Sequence, residues 1–171
     1  MSKRDDYRTW DDTFVGMSFV IAGRSKDPRT QVGAIIVSDE NKVLSVGYNG
    51  APPGLSDDDM YWGSSREFND PLQTKYPYVI HAEENAISSY KGYKRDLEGG
   101  TIYTTHFPCN ECAKDITKAG IREVVYVHDY EYPLKPAAYT IFTSANVLVR
   151  KIEEYTGHTI PALNTGEKEV S

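Results

Sequence analysis

The chain has 171 residues, 39% of them hydrophobic and 26% charged, a composition that fits one soluble domain with an ordinary core. It holds no run of about 20 apolar residues, so nothing reads as a membrane span, and its polar start lacks the apolar core of a signal peptide, so a cytoplasmic location is expected. A formal net charge of −6 argues against a large nucleic-acid partner, and the two cysteines, Cys109 and Cys112, are spaced for metal or thiol redox chemistry rather than a structural disulfide.

Residues 11–22 are apolar almost all round (Phe14, Val15, Met17, Phe19, Val20, Ile21), and their length predicts a buried helix. Thr9 and Asp12 form a capping-box-like start, with aspartate in the usual glutamate's place. The runs 32–37 and 43–48, separated by Ser38, Asp39, Glu40 and Asn41, predict a β-hairpin. Residues 49–78, with Pro52, Pro53, Gly54, Pro71 and Pro77, read as a long loop, and loops of that length are usually functional or disordered. Beyond it, helices at 82–90, 111–119 and 136–145 alternate with strands at 101–105, 123–127 and 147–152, and Gly120 closes the second of these helices. That alternation predicts an α/β fold with a central sheet covered on both faces. One domain is expected over residues 1–160, followed by a polar tail at 161–171.

Two short segments carry the chemistry: His81-Ala82-Glu83 and Pro108-Cys109-Asn110-Glu111-Cys112. A catalytic zinc takes three protein ligands and leaves a fourth position for water, and His81, Cys109 and Cys112 supply such a set. Both segments open predicted helices, where the helix dipole favours thiolates, and Pro108 suits a helix start. Two residues apart, His81 and Glu83 diverge in mid-helix but can approach one metal at a helix end. Glu83 is then the proton carrier, because zinc lowers the pKa of bound water to about 7 and a carboxylate in reach can move its proton. Either piece alone is weak, since a lone Cys-x-x-Cys on a helix also reads as a thioredoxin-like redox pair. His-x-Glu followed by Pro-Cys-x-x-Cys is the signature of zinc deaminases.

Over residues 4–152 the sequence resembles the deoxycytidylate deaminases of the cytidine deaminase superfamily. The resemblance rests on Arg24-Ser25-Lys26-Asp27-Pro28, Gln31-Val32-Gly33-Ala34, Gly47-Tyr48-Asn49-Gly50-Ala51-Pro52, Thr74-Lys75-Tyr76-Pro77-Tyr78 and the two zinc segments with their flanks. It implies a single-domain three-layer α/β/α fold with a mixed five-stranded sheet. It implies hydrolytic deamination of deoxycytidine monophosphate (dCMP) to deoxyuridine monophosphate (dUMP) by a zinc-bound hydroxide, feeding thymidylate synthesis. It also implies a homohexamer activated by dCTP and inhibited by dTTP.

A monophosphate substrate needs cations or hydroxyls at its tail, and Arg24, Ser25 and Lys26 follow the first helix. Tyr130 matches a family tyrosine at the same spacing beyond the cysteines, Asn49 is a candidate for the sugar, and the backbone of Ala82 matches the position that meets the pyrimidine ring. Each has a plainer reading as a solvated surface or turn residue. Gly50, Asp57 and Asp58 are candidates for an effector site in which carboxylates help hold magnesium on a triphosphate; the plainer reading of the aspartates is a solvated acidic turn. His106, His128 and His158 are read as non-ligands, so one zinc per subunit is expected. The competing readings are another nucleotide deaminase or a tRNA adenosine deaminase of the superfamily, a non-catalytic nucleotide sensor with a structural zinc, and a thiol oxidoreductase.

Overall fold

In the computed structural model, which describes residues 3–65, 67–153 and 155, Thr9 starts helix α1 (Trp10–Ala22) by accepting the Asp12 N–H at 3.1 Å. Asp12 answers through its carboxylate, which accepts the Thr9 hydroxyl at 2.7 Å instead of the backbone N–H of a full capping box. Next come the hairpin strands β1 (Gly33–Val37) and β2 (Val43–Tyr48), turned through Asn41 in a left-handed conformation with φ 59°. Helix α2 (Ala82–Ser89), strand β3 (Thr101–His106), helix α3 (Asn110–Lys118), strand β4 (Glu123–His128), helix α4 (Lys135–Ser144) and strand β5 (Leu148–Lys151) complete the order. The expected tail at 161–171 and His158 lie outside the described residues.

The sheet runs β2-β1-β3-β4-β5, antiparallel across β2/β1/β3 and parallel across β3/β4/β5. Side-chain alternation gives it two apolar faces. Ile35, Val37, Tyr103 and Val125 pack under Phe14 and Val15 of α1. Ala34, Ile36, Ile102, Val124 and Tyr126 pack under Ala82, Ala86, Ala113, Ile116, Ala138 and Phe142 of the other three helices. The result is the three-layer fold with a mixed sheet that the family resemblance implies, with one helix on one side and three on the other. Truncating a fully buried member such as Phe142 would cost about 3–5 kcal/mol.

Two glycines fix how neighbouring elements approach and end. A Cβ on Gly47 of β2 would stand 2.2 Å from the Ala82 carbonyl oxygen and 2.4 Å from the Ala86 nitrogen, so α2 lies on β2 more closely than any side chain permits. Gly120, at φ 74°, ends α3: its N–H reaches the Thr117 carbonyl at 3.1 Å and the Ile121 N–H reaches the Ile116 carbonyl at 3.3 Å, a Schellman closure.

Three expectations are adjusted. Helix α1 is not buried all round: Val20 is 75% exposed because only one side of the helix meets the sheet. Short 3-10 turns at Pro71–Gln73 and Lys94–Leu97 were not foreseen. The 49–78 loop is pinned at several points. Gly50 bridges Ile80 in antiparallel fashion, the Lys75 N–H donates to the Gly63 carbonyl at 3.0 Å, and Lys26, Arg29 and Lys75 form ion pairs with Asp57, Glu67 and Asp27.

Candidate active site

His81 is the N-cap of α2 and Cys109 the N-cap of α3, both with extended backbone. The Cys109 sulphur accepts the Cys112 N–H at 3.5 Å, so the residue that caps the helix also holds the second cysteine one turn inside it. The two helix starts converge. His81 Nδ1 lies 3.4 Å from Cys109 Sγ and 3.3 Å from Cys112 Sγ, and the three ligand atoms fall within 4.8 Å of one another. A tetrahedral ion with sulphur at about 2.3 Å and nitrogen at about 2.0 Å needs a sulphur–nitrogen spacing of roughly 3.5 Å. The donor set and spacing therefore fit zinc, with Nδ1 as the histidine ligand atom. Among the described residues this is the one group of three or more histidine, cysteine or acidic side chains so arranged, and the Asp57 to Asp59 run does not form another.

Glu83 sits in the first turn of α2, is 4% exposed, and has Oε2 3.6 Å from Cys112 Sγ. Burial is the main reason its carboxyl is pushed above the usual range, and the neighbouring His81 opposes that shift. Without a metal the ligands polarise one another. The hydrogen bond from Cys112 is the main force drawing the Cys109 thiol down to about 4, and the same contact, with burial, raises Cys112 well above the ordinary thiol range. The hydrogen bond to Cys109 raises His81 to about 9. A metal entering here displaces protons from His81 and Cys112.

The three ligands and Glu83 stand at a cleft of about 590 Å³, and Asn49, Ala82 and Tyr130 line the same cleft. Ala82 is fully buried at the first position of α2, where the helix leaves its backbone N–H groups without internal partners. The Asn49 amide is occupied by backbone: Oδ1 accepts the Val32 N–H at 2.8 Å, and Nδ2 donates to the Thr30 carbonyl at 2.9 Å. Ser25 donates to the Asn49 carbonyl at 2.9 Å and thus holds the cleft wall from behind. Tyr130 follows β4, half exposed and stacked on Tyr132 with ring centroids 5.1 Å apart.

Arg24 lines a different pocket. That depression, about 390 Å³, also takes in Lys26, Tyr48, Gly50, Asp57 and Asn85. Asp58 is exposed outside both. Two residues singled out by no earlier argument belong to the cleft: Asp27, 2% exposed, accepts the N–H groups of Arg29 and Thr30 and is ion-paired with Lys75, itself 8% exposed. Both lie in segments that carry the family resemblance, but their pairing spans 48 positions and has no local signal.

Residues 8–128 match the family model described as the cytidine and deoxycytidylate deaminase zinc-binding region. The human deoxycytidylate deaminase is 48% identical over 151 residues, covering 87% of this chain and 83% of the relative. The probable deoxycytidylate deaminase of Drosophila melanogaster is 47% identical over 167 residues, covering 95% of this chain and 78% of the relative. Among solved structures, the dCMP deaminase from cyanophage S-TIM5 in complex with dCMP and dUMP superposes with a TM-score of 0.64 at 23% identity, covering 88% of this chain and 100% of that one. This last likeness concerns the fold.

Proposed function

We propose that this chain, which belongs to the family of cytidine and deoxycytidylate deaminases, hydrolyses deoxycytidine monophosphate to deoxyuridine monophosphate and ammonia. The observation that carries the reading is the convergence of His81, Cys109 and Cys112 beside a buried Glu83 at one cleft. Zinc held by that triad supplies the Lewis acidity that makes water a nucleophile near neutral pH. Glu83 accepts a proton from water at its carboxylate as the water oxygen bonds to C4 of the pyrimidine, and hands that proton to N3; it then carries the new hydroxyl's proton to the amino nitrogen, and the C4–N bond breaks to release ammonia. Its burial favours the neutral carboxyl that the donating step needs, and such acid–base help is worth roughly 100- to 10,000-fold. The Ala82 backbone meets the ring, Asn49 borders the sugar, and Tyr130 borders the outer part of the nucleotide. A sensor that kept zinc only for structure would have no use for a buried carboxylate beside the ligands.

Regulation belongs to the same reading. The second pocket, with Arg24, Lys26, Gly50 and Asp57, has cations and a carboxylate suited to a triphosphate and its magnesium, with Asp58 nearby in sequence. We assign dCTP and dTTP to it as activator and inhibitor, and read Arg24 as an effector residue instead of a substrate one, because it faces this pocket and not the cleft. Exposed Met17 and Val20 on α1 and Val46 and Tyr48 on β2 offer apolar surface for a homohexamer. No helix among the described residues is long and apolar enough to cross a membrane, and the reading assigns the enzyme to the cytoplasm, feeding thymidylate synthesis.

The test is ammonia release by zinc-loaded protein offered dCMP, cytidine monophosphate, deoxycytidine and an adenosine-containing tRNA stem-loop, with and without dCTP and magnesium. Preference for dCMP with a boost from dCTP is expected. Turnover of the tRNA substrate alone would overturn the substrate assignment, and turnover of dCMP without a boost would remove the regulation.

A further inference from the structure

The chemistry described so far uses neither of two histidines that line the same cleft, His106 and His128. They end β3 and β4, are register partners across two parallel strands, and hold their rings with centroids 5.0 Å apart at 52°. The carboxyl ends of adjacent parallel strands are where open α/β sheets bind ligands. The backbone ties this end together, since the Phe107 N–H donates to the His128 carbonyl at 2.9 Å. His128 also packs edge-on against Phe19 of α1, with centroids 5.6 Å apart.

A hydrogen-bond chain holds His106 in place. Thr105 Oγ1 accepts the Gly33 N–H at 3.3 Å and stands 2.9 Å from His106 Nδ1. That contact anchors the ring through Nδ1, and a neutral imidazole keeps one N–H donor. Burial, with His128 adding to it, pulls His106 down to about 4, so near neutral pH it is an uncharged N–H donor. The charged groups around the pair are already matched: Lys75 with Asp27, and Asp129 and Glu131 with Lys135 Nζ at 2.7 and 2.8 Å. Among the described residues neither imidazole is held in an ion pair. The pair thus offers N–H donors to an anion, beside Lys75, Asp27, Asp129 and Glu131, which are already paired.

Building on the substrate reading above, we propose that His106 and His128 bind the 5′-phosphate of the nucleotide and set the preference for a monophosphate over a free nucleoside. Phosphate oxygens accept strong hydrogen bonds from such donors, and the shared register of β3 and β4 fixes the two rings at one spacing.

The experiment measures kcat/KM for dCMP and deoxycytidine, with calorimetric binding of both, on zinc-loaded wild type, His128→Phe, His128→Asn and His106→Phe. Phenylalanine keeps a ring against Phe19 and the cleft floor but has no donor; asparagine restores one. Each phenylalanine variant is expected to lose about 10- to 100-fold for dCMP, mainly through KM, and less than threefold for deoxycytidine, with His128→Asn recovering part of the loss. An unchanged dCMP-to-deoxycytidine ratio in variants that fold and hold zinc overturns the proposal while leaving the dCMP deaminase reading intact. A wild type that converts deoxycytidine and binds dCMP no more tightly overturns both the phosphate site and the substrate assignment. If His128→Phe does not fold, His106→Phe and His128→Asn carry the same comparison.

Discussion

Gly47→Ala should damage catalysis from a strand that contributes no catalytic group. The added Cβ would stand 2.2 Å from the Ala82 carbonyl oxygen and 2.4 Å from the Ala86 nitrogen, both of them backbone atoms with no rotamer to yield. A relaxed carbon–oxygen contact needs roughly 3.2–3.4 Å, so α2 must lift from β2 by about 1 Å. Overpacking of this kind costs about 1–3 kcal/mol, or roughly 2–12 °C in Tm for a chain of this size. Ala82 lies between His81 and Glu83, so the same displacement moves the proposed zinc ligand and the proposed proton carrier away from Cys109 and Cys112. A misplacement of about 1 Å is worth on the order of 100-fold in rate. The assay pairs thermal unfolding with steady-state turnover, using Gly16→Ala as the control. There the new Cβ would meet the far ends of two side chains, Arg8 at 3.2 Å and the Tyr155 hydroxyl at 3.6 Å, and helix propensity favours alanine by about 0.5–1 kcal/mol. A Gly47→Ala protein with wild-type Tm and turnover within twofold would refute the claim that this glycine sets the height of α2.

Two further outcomes are expected. Cys112→Ala should lose its zinc, because two remaining ligands cannot hold a catalytic ion tightly; a metal assay still finding one zinc per chain would refute the ligand set. Asp11→Asn should lower stability at pH 7 by about 1 kcal/mol, since Arg150 grips the carboxylate at 2.8 and 3.2 Å and Tyr103 donates to it at 2.8 Å, in a partly exposed setting. The Arg150 hydrogen bonds, above all, hold the Asp11 pKa below 3.8, so its contribution is present above about pH 4 and fades as pH falls through the folded value. The Tm gap between wild type and variant should therefore narrow on going from pH 7 to pH 3, and a constant gap would contradict this.

The candidate metal-binding residues were legible in the sequence because each segment is a local signal: each caps a helix, and a cap fixes backbone direction within three or four residues, although the meeting of the two caps joins positions 28 and 31 apart. The alternation of helices and strands was legible for the same reason, since core periodicity repeats within each element. What the sequence hid depends on contacts far apart along the chain. Arg24 follows α1 and looked free to reach a substrate, but it faces the pocket formed with Tyr48, Gly50 and Asp57. The pairing of Asp27 with Lys75 requires the long loop to fold back over the cleft, and the pairing of His106 with His128 requires the parallel register of β3 and β4. The apolar outer face of α1 misled for a different reason: exposed apolar residues are common on protein surfaces, so hydrophobicity alone did not locate the buried side.

The most direct measurement is the zinc content and dCMP turnover of Glu83→Gln beside wild type. Glutamine keeps the size and hydrogen-bonding reach of the side chain but cannot shuttle a proton. The variant should hold one zinc, unfold near the wild-type temperature, and lose at least 100-fold in kcat. A zinc-loaded Glu83→Gln protein that deaminates dCMP at the wild-type rate would contradict the account at its centre.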